Sequence, residues 1–416
     1  MAHQTAACCS CLPNRSSSRN GIIVYVNDAG LRLLRANTLT SLSSLAFMVN
    51  YIIIKAHHGQ LYRQRGRKRP AVTIKLPLRN PLPLKRNVQT FHFIEGEVRM
   101  FSDLVTSDGL LDKTKVTKWE TIYKGMNGKR VERFYIRTEQ GVASYIFKPL
   151  NNRESVGREA WVHQNLLQHL PRIKVPKLLA SASHQDPNRY WAVLEDLGPL
   201  EHQLSDHEVV QAAALIPCWH QLPLSLIPRS LKGNKPLYRD ILRHVQQNWE
   251  HAESLLLRLD MPSKWLNLLR QTVFGTKQTV RAETVVSHGD FHRGNIAVAG
   301  GELVVLDWEH AHRNSPFWDL YHLLDLTHPV VRRQTSDALR QSALNAYLAS
   351  RRGLGWEETP DFIRSYYEYA AVHSVWMLLL IQDDLKRDVW EQSGLRKAQA
   401  ETYASLEDCV RYLFDG

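Results

Sequence analysis

The chain has 416 residues, long enough for two or three lobes with buried cores, and its 44% hydrophobic and 23% charged content is ordinary for a soluble globular protein. The net charge of +12 suggests a nucleic-acid partner, but its distribution argues against one. Residues 1–99 hold 15 Lys/Arg and 3 Asp/Glu, which leaves 38 of each sign for residues 100–416, so the body of the chain is neutral.

Cysteine usage separates the same two regions. Cys8, Cys9 and Cys11 lie in the first, and only Cys218 and Cys409 lie in the second. Five cysteines so placed are no disulfide framework, and a reduced, cytoplasmic setting is the simpler expectation. Cys8 to Cys11 lack a second cluster that would complete four metal ligands. The early apolar run Leu42 to Ile54 is broken by Ser43, Ser44 and Asn50. It is too short to span a membrane, which takes about 20 apolar residues, and it makes no convincing secretory signal. No membrane and no nucleic-acid partner is expected.

Residues 12–20 are polar and Ser-rich, Arg63 to Arg69 is a basic block, and Pro70, Pro77, Pro81 and Pro83 break regular structure. Three readings stand for this extension. It is an arm for a nucleic acid or another anionic surface, a disordered tail, or a stretch translated ahead of a natural start at Met100. Glu95-Gly96-Glu97-Val98 can be encoded by purine-rich codons resembling a bacterial ribosome-binding site, which supports the third.

After Met100 the pattern turns regular. Trp119 to Tyr123, Arg133 to Arg137 and Ser144 to Lys148 read as strands, with Gly125, Asn127-Gly128 and Gln140-Gly141 as turns. Asn151 to Leu170 reads as a helix on the spacing of Trp161, Leu166, Leu167 and Leu170, ended by Pro171. Lys177 to Ala182 and Tyr190 to Glu195 read as two more strands. From Glu201 onward helices are expected over 204–222, 237–258, 262–280, 317–327, 332–350, 357–382 and 386–413. Short β pieces fall at Thr284 to Ser287, Ile296 to Val298 and Leu303 to Leu306. The fold class is therefore α+β: a small antiparallel-sheet lobe over 100–198, then a larger, mostly helical lobe over 199–416.

The chemistry sits in the second lobe. Phosphoryl transfer needs a positioned hydroxyl, cations on the phosphates, and carboxylates or amides to hold those cations. Asp290 follows a short strand, Asn295 comes five residues later, and Asp307 ends the strand Leu303 to Leu306. A hairpin of Ile296 to Val298 with Leu303 to Leu306, turned at Gly300-Gly301, brings Asn295 and Asp307 to one end. One carboxylate is then left for a substrate hydroxyl, and one carboxylate with one amide oxygen for Mg²⁺, which prefers hard oxygen ligands.

His288-Gly289-Asp290-Phe291-His292-Arg293-Gly294-Asn295, followed by Leu306-Asp307-Trp308-Glu309, resembles the aminoglycoside phosphotransferase and choline kinase superfamily. That superfamily is similar in fold to protein kinases, and the resemblance covers roughly residues 116–383 and leaves out 1–99. It implies a two-lobed kinase-like fold and an ATP- and Mg²⁺-dependent transfer of the γ-phosphate to a hydroxyl of a small molecule. The acceptor would be aminoglycoside-, choline- or sugar-like. Asp290 is then the catalytic base, Asn295 and Asp307 are the metal ligands, and His288, His292 and Asp319 are structural or supporting. Lys148, at the end of the third strand, would reach the α- and β-phosphates and be held by Glu159, with Glu154 as a competing partner. Glu195, Asp196 and Leu197 fall at the interlobe hinge, whose backbone binds adenine in the family. Lys129 and Arg130 sit in the phosphate-covering turn, where a solvated turn is the plainer reading. Glu309, Asp325, Asp383, Asp384, Trp376 and Tyr366 to Tyr369 are candidate acceptor-lining residues, although Trp376 and the run after it read as helix core.

Two other classes compete. His288, His292, His310 and His312 crowd near Asp290 and Asp307, as in a dimetal phosphoesterase, but the further elements of that family do not appear in order. A catalytically inactive kinase-like binding module is the other, against which the joint presence of Lys148, Asp290, Asn295 and Asp307 argues. A protein kinase is disfavoured by His-Gly-Asp, by Asp-Trp-Glu and by the short spacing from Asp307 to Asp319.

Overall fold

The computed structural model describes residues 25–27, 30–32, 100–124, 128–150, 155–182, 186–231, 236–275, 283–327, 335–357, 360–387 and 391–415. The chain divides into two units. In the first, residues 1–39 with 59–89, the described residues form one hairpin, β1 (Tyr25–Asn27) paired antiparallel with β2 (Gly30–Arg32). Everything below belongs to the second, residues 40–58 with 90–416. The expectations for Cys8 to Cys11, Leu42 to Ile54 and Arg63 to Arg69 fall outside the described residues.

Five strands form an antiparallel sheet: β3 (Lys118–Lys124), β4 (Arg130–Thr138), β5 (Gly141–Pro149), β6 (Leu178–Ser181) and β7 (Trp191–Glu195), in the spatial order β3-β4-β5-β7-β6. Alternation on β4 shows why the sheet has two unlike faces. Glu132, Phe134 and Ile136 are buried, while Val131, Arg133 and Tyr135 are half-buried on the other side. The covered face packs Phe134, Phe147, Trp191 and Val193 with Phe101 and Leu111. Those last two come from chain ahead of β3 to which the sequence pattern assigned no element. The helix expected over Asn151 to Leu170 is shorter: α1 (Arg158–Asn165) is followed by a 3₁₀ turn at Leu167–His169.

The second lobe is mostly helical. The expected 204–222 helix is two, α2 (Asp206–Leu215) and α3 (Pro217–His220), because Pro217 lacks an N–H and restarts the helix at its first position. The expected 237–258 helix also divides, at Asn248, into α4 (Tyr238–Gln247) and α5 (Trp249–Arg258). Then come α6 (Ser263–Phe274), β8 (Val285–Ser287), β9 (Ile296–Ala299), β10 (Glu302–Val305), β11 (His312–Asn314), α7 (Pro316–Leu324), α8 (Asp337–Gly353), α9 (Phe362–Arg387) and α10 (Gln392–Asp415). β9 and β10 pair in the hairpin expected around Gly300-Gly301. β11, which the sequence pattern did not show, pairs with β8.

Helix α9 is buried on nearly all sides, through Tyr366, Tyr367, Tyr369, Val372, Val375 and Leu378. One ion pair ties its surroundings. The fully buried Arg340 lies 2.8 Å from Asp325, which also accepts hydrogen bonds from Tyr366 and Ser405. Asp325 is therefore spent inside the core and withdrawn from the candidate acceptor residues, and Tyr366 goes with it. Two isolated bridges bind the β9–β10 hairpin to chain beside the sheet lobe, Lys174 with Val304 and Glu201 with Val298. The hairpin end carrying Asn295 and Asp307 is thus fixed from both flanks. Among the described residues no helix is long and apolar enough to cross a membrane.

Candidate active site

The loop after β8 is shaped by a glycine and a buried acid. Gly289 has φ +86, and a Cβ there would lie 2.1 Å from the carbonyl oxygen of His310. No other residue fits. Beneath the loop, Asp319 in the first turn of α7 is fully buried and accepts five hydrogen bonds. Three come from the loop and its strand: the Ser287 hydroxyl at 2.8 Å, the His288 N–H at 2.9 Å and the Gly289 N–H at 3.1 Å. Two come from α3, the Trp219 indole N–H at 2.9 Å and His220 Nε2 at 3.2 Å. Burial alone would raise the Asp319 carboxyl, but these donors, with His220 and His288, hold it well below the usual carboxylate range. Trp318 pins the same loop from the next residue, its indole N–H donating to the Gly289 carbonyl at 3.0 Å.

His288 is buried and joins the loop to the end of β10. Its Nε2 donates to the Leu306 carbonyl at 2.9 Å, and its Nδ1 accepts from the Asp290 N–H at 3.3 Å. Both ring positions are spent on main chain, and burial depresses the ring's basicity. Asp290 keeps 22% of its side chain exposed, so a substrate can reach it. His292 Nδ1 accepts from the Gly294 N–H at 3.0 Å, which turns Nε2 toward Asp290 Oδ2 at 3.7 Å. Asn295 Nδ2 donates to the Asp290 carbonyl at 2.9 Å, and the Leu306 N–H donates to the Asn295 carbonyl at 2.8 Å. Asp290, Asn295 and Asp307 are in this way held on one frame.

Asp307 itself has φ 60 and ψ 57, a left-handed conformation rare for a residue with a side chain. Its Oδ1 lies 3.0 Å from Lys148 Nζ, and that ammonium lies 2.9 Å from Glu159 Oε1. Lys148 comes from the end of β5 and Glu159 from the first turn of α1, so three elements meet at one ammonium. Burial works against the charge on Lys148, but Asp307, Glu159 and Glu309 outweigh it and raise its pKa well above the ordinary value. Burial also raises Glu159, partly offset by Lys148. Glu309 is buried behind Asp307, and burial with the Asp307 charge pushes its carboxyl up to about 8. A residue expected in the acceptor site is thus buried, within electrostatic reach of Asp307 and Lys148.

At the hinge, the Asp196 carboxylate is held by Arg133, at 2.7 Å to Nε and 3.0 Å to Nη2, and by the Gly198 N–H at 3.0 Å. Glu195 is spent on the sheet edge, where its Oε2 accepts from the Lys177 N–H at 3.2 Å. Leu197 lies between the two tethered residues, Asp196 and Gly198. The Lys129 ammonium donates to the Leu150 carbonyl at the end of β5, and Glu154 lies outside the described residues. Arg133, Trp219 and His220 escaped the sequence pattern, since each is far along the chain from the residue it holds. Asp383 pairs with Lys386 at the end of α9, 3.8 Å apart.

A model of the phosphotransferase enzyme family (APH) matches residues 127–359, more than half of the chain, and the protein belongs to that family. It is a phosphotransferase whose fold is a five-stranded antiparallel sheet lobe followed by a mostly helical lobe. No curated protein matches the chain. Among solved structures it is similar to an aminoglycoside-3'-phosphotransferase of type VIII, at 16% identity over 67% of this chain and 98% of that one, with a TM-score of 0.39. It is also similar to a choline/ethanolamine kinase family protein from Mesorhizobium loti, at 15% identity over 73% and 95%, TM-score 0.43. A third is an ethanolamine kinase from Plasmodium vivax, at 13% identity over 76% and 87%, TM-score 0.46.

Proposed function

We propose that the protein transfers the γ-phosphoryl group of ATP to a hydroxyl of a small-molecule acceptor, with Asp290 as the catalytic base. The observation that carries this reading is the convergence of Lys148, Glu159, Asp290, Asn295 and Asp307 from separate elements of a phosphotransferase fold. Asp290, braced through Asn295 and beside His292, takes the acceptor's hydroxyl proton as its oxygen bonds to phosphorus and the bond to the ADP oxygen breaks. Lys148, oriented by Glu159, holds the α- and β-phosphates. The main chain at Glu195, Asp196 and Leu197 receives the adenine.

Asn295 and Asp307 fit a Mg²⁺ ion. Asn295 spends its amide nitrogen on the Asp290 carbonyl, which directs the side-chain oxygen away from that bond. The partly exposed Asp307 and the buried Glu159 share the single ammonium of Lys148, so the Asp307 carboxylate has charge to spare for a divalent cation. When bound, the ion would supply charge neutralisation on the phosphate oxygens.

The acceptor class is an amino sugar, choline-like amine or sugar, and the setting is cytoplasmic. We further take residues 1–99 as an extension, 100–198 as the nucleotide lobe and 199–416 as the catalytic and acceptor lobe. Activity retained on removing residues 1–99 supports that division, and loss of folding contradicts it. A screen of ATP-dependent phosphate transfer to these acceptors tests the activity. The dimetal phosphoesterase alternative predicts tightly bound stoichiometric metal after purification in metal-free buffer. Among the described residues, no three His, Cys, Asp or Glu are grouped to hold a metal ion.

A further inference from the structure

The sheet face that carries Lys148 holds a second cation that the reading above does not use. Arg133 on β4 pairs with Ile146 on β5, two residues before Lys148, and Ile146 pairs with Leu194 on β7. Side chains two apart on a strand, and directly paired across strands, share a face. Arg133, Ile146, Lys148 and Leu194 therefore lie on one face, opposite the covered face of Phe134 and Phe147. Because β7 runs antiparallel to β5, the step from Lys148 to Ile146 leads toward the hinge at Asp196. At about 3.3 Å per residue, Arg133 stands about 7 Å along the strand from Lys148, toward the hinge. Arg133 thus lies on the hinge side of Lys148, on the same face of the sheet.

The guanidinium is held flat. Its Nε and Nη2 clasp the two oxygens of Asp196 at 2.7 and 3.0 Å, Nη2 also reaches the Gly198 carbonyl at 2.9 Å, and Nη1 reaches Glu120 at 3.3 Å. Four bonds fix the plane, in the fork geometry that distinguishes arginine from lysine. All of them leave through the edge of the group. The faces of the guanidinium take no part in them, and the side chain is 18% exposed. A flat cation whose edges are committed to hydrogen bonds can offer a face as a stacking surface for an aromatic ring.

We propose that the face of the Arg133 guanidinium is the platform on which the nucleobase stacks, with Asp196 as the positioning residue that holds it flat. The proposal rests on the reading that Lys148 takes the nucleotide's phosphates. The plainer alternative makes Arg133 only a brace between sheet and hinge. The two differ in one respect: a stacking platform acts on the base alone.

Calorimetric titration of the full chain with Mg·ATP and with Mg·tripolyphosphate, which has no base, separates them. Arg133→Met keeps the stem and removes the plane. It should weaken ATP about tenfold, the size of one base stack, and leave tripolyphosphate within about twofold. Arg133→Lys, which keeps the charge, should show the same contrast, and it carries the test if Arg133→Met loses its cooperative melting transition. Asp196→Asn should show a smaller loss of the same kind. Equal weakening of both ligands, or of neither, overturns the proposal and leaves Arg133 a brace. Failure of the underlying reading looks different: wild-type protein binding neither ligand, or Lys148→Ala leaving both affinities unchanged.

Discussion

Lys148 Nζ stands 3.0 Å from Asp307 Oδ1, a contact that joins the sheet lobe to the end of the β9–β10 hairpin across 159 residues of chain. With Glu159 on its other side, this ammonium is the hinge pin of the site. Replacing Lys148 by Met should cost about 3 kcal/mol of stability, because it leaves the buried Glu159 without its counter-charge. Urea unfolding measures the loss. Glu159→Gln should cost less, since Asp307 still balances the ammonium, and should raise KM for nucleotide more than it lowers kcat.

Asp290→Ala should lower kcat by about 10²-fold to 10⁴-fold while leaving Mg·ATP binding largely intact, the effect of losing a general base. Turnover by that variant at the wild-type rate would remove Asp290 from the reaction.

Asp307→Ala should abolish the metal dependence of nucleotide binding. ATP titrations with and without Mg²⁺ should differ in the wild type and coincide in the variant. Undiminished Mg·ATP affinity would take Asp307 out of the metal site.

Asp319 predicts a pH dependence of stability. Its folded-state pKa is depressed, so its hydrogen bonds stabilise the fold fully above the unfolded carboxyl value of about 3.9. That stabilisation is lost as pH falls below this value toward the depressed one. Asp319→Asn should cost about 3 kcal/mol at neutral pH, given the five donors it serves. It should also flatten the acid limb of the stability curve measured from neutral pH down to about pH 3. An acid limb identical to that of the wild type would mean that Asp319 is not its source.

Gly289→Ala should be inactive, since its Cβ would collide with the His310 carbonyl. Circular dichroism should show the helices intact, with the damage confined to the loop.

What was legible in the sequence is what is local in it. Asp290, Asn295 and Asp307 lie within eighteen residues on a loop and a hairpin, and strand alternation with Gly300-Gly301 sufficed to bring them together. Lys148 was readable as a strand-end lysine before a helix. The anchors were not, because their partners are distant: Trp219 and His220 meet Asp319 about 100 residues later, and Arg133 meets Asp196 across 63. Glu309 and Asp325 read as acceptor-lining acids because hydropathy does not reveal that an acid is buried. Asp325 is held there by Arg340, and Glu309 lies buried with its carboxyl pushed up to about 8. The helix pattern carried across Pro217 and Asn248 because apolar spacing persists on both sides of each break.

The most direct test is transfer of labelled γ-phosphate from ATP, with Mg²⁺, to a panel of amino sugars, choline-like amines and sugars, run with wild-type protein and Asp290→Ala in parallel. Labelled product from at least one acceptor with the wild type, formed at least about 100-fold more slowly by the variant, is the predicted result. Labelled product formed equally by both, or ATP neither bound nor consumed by the wild type, would contradict it.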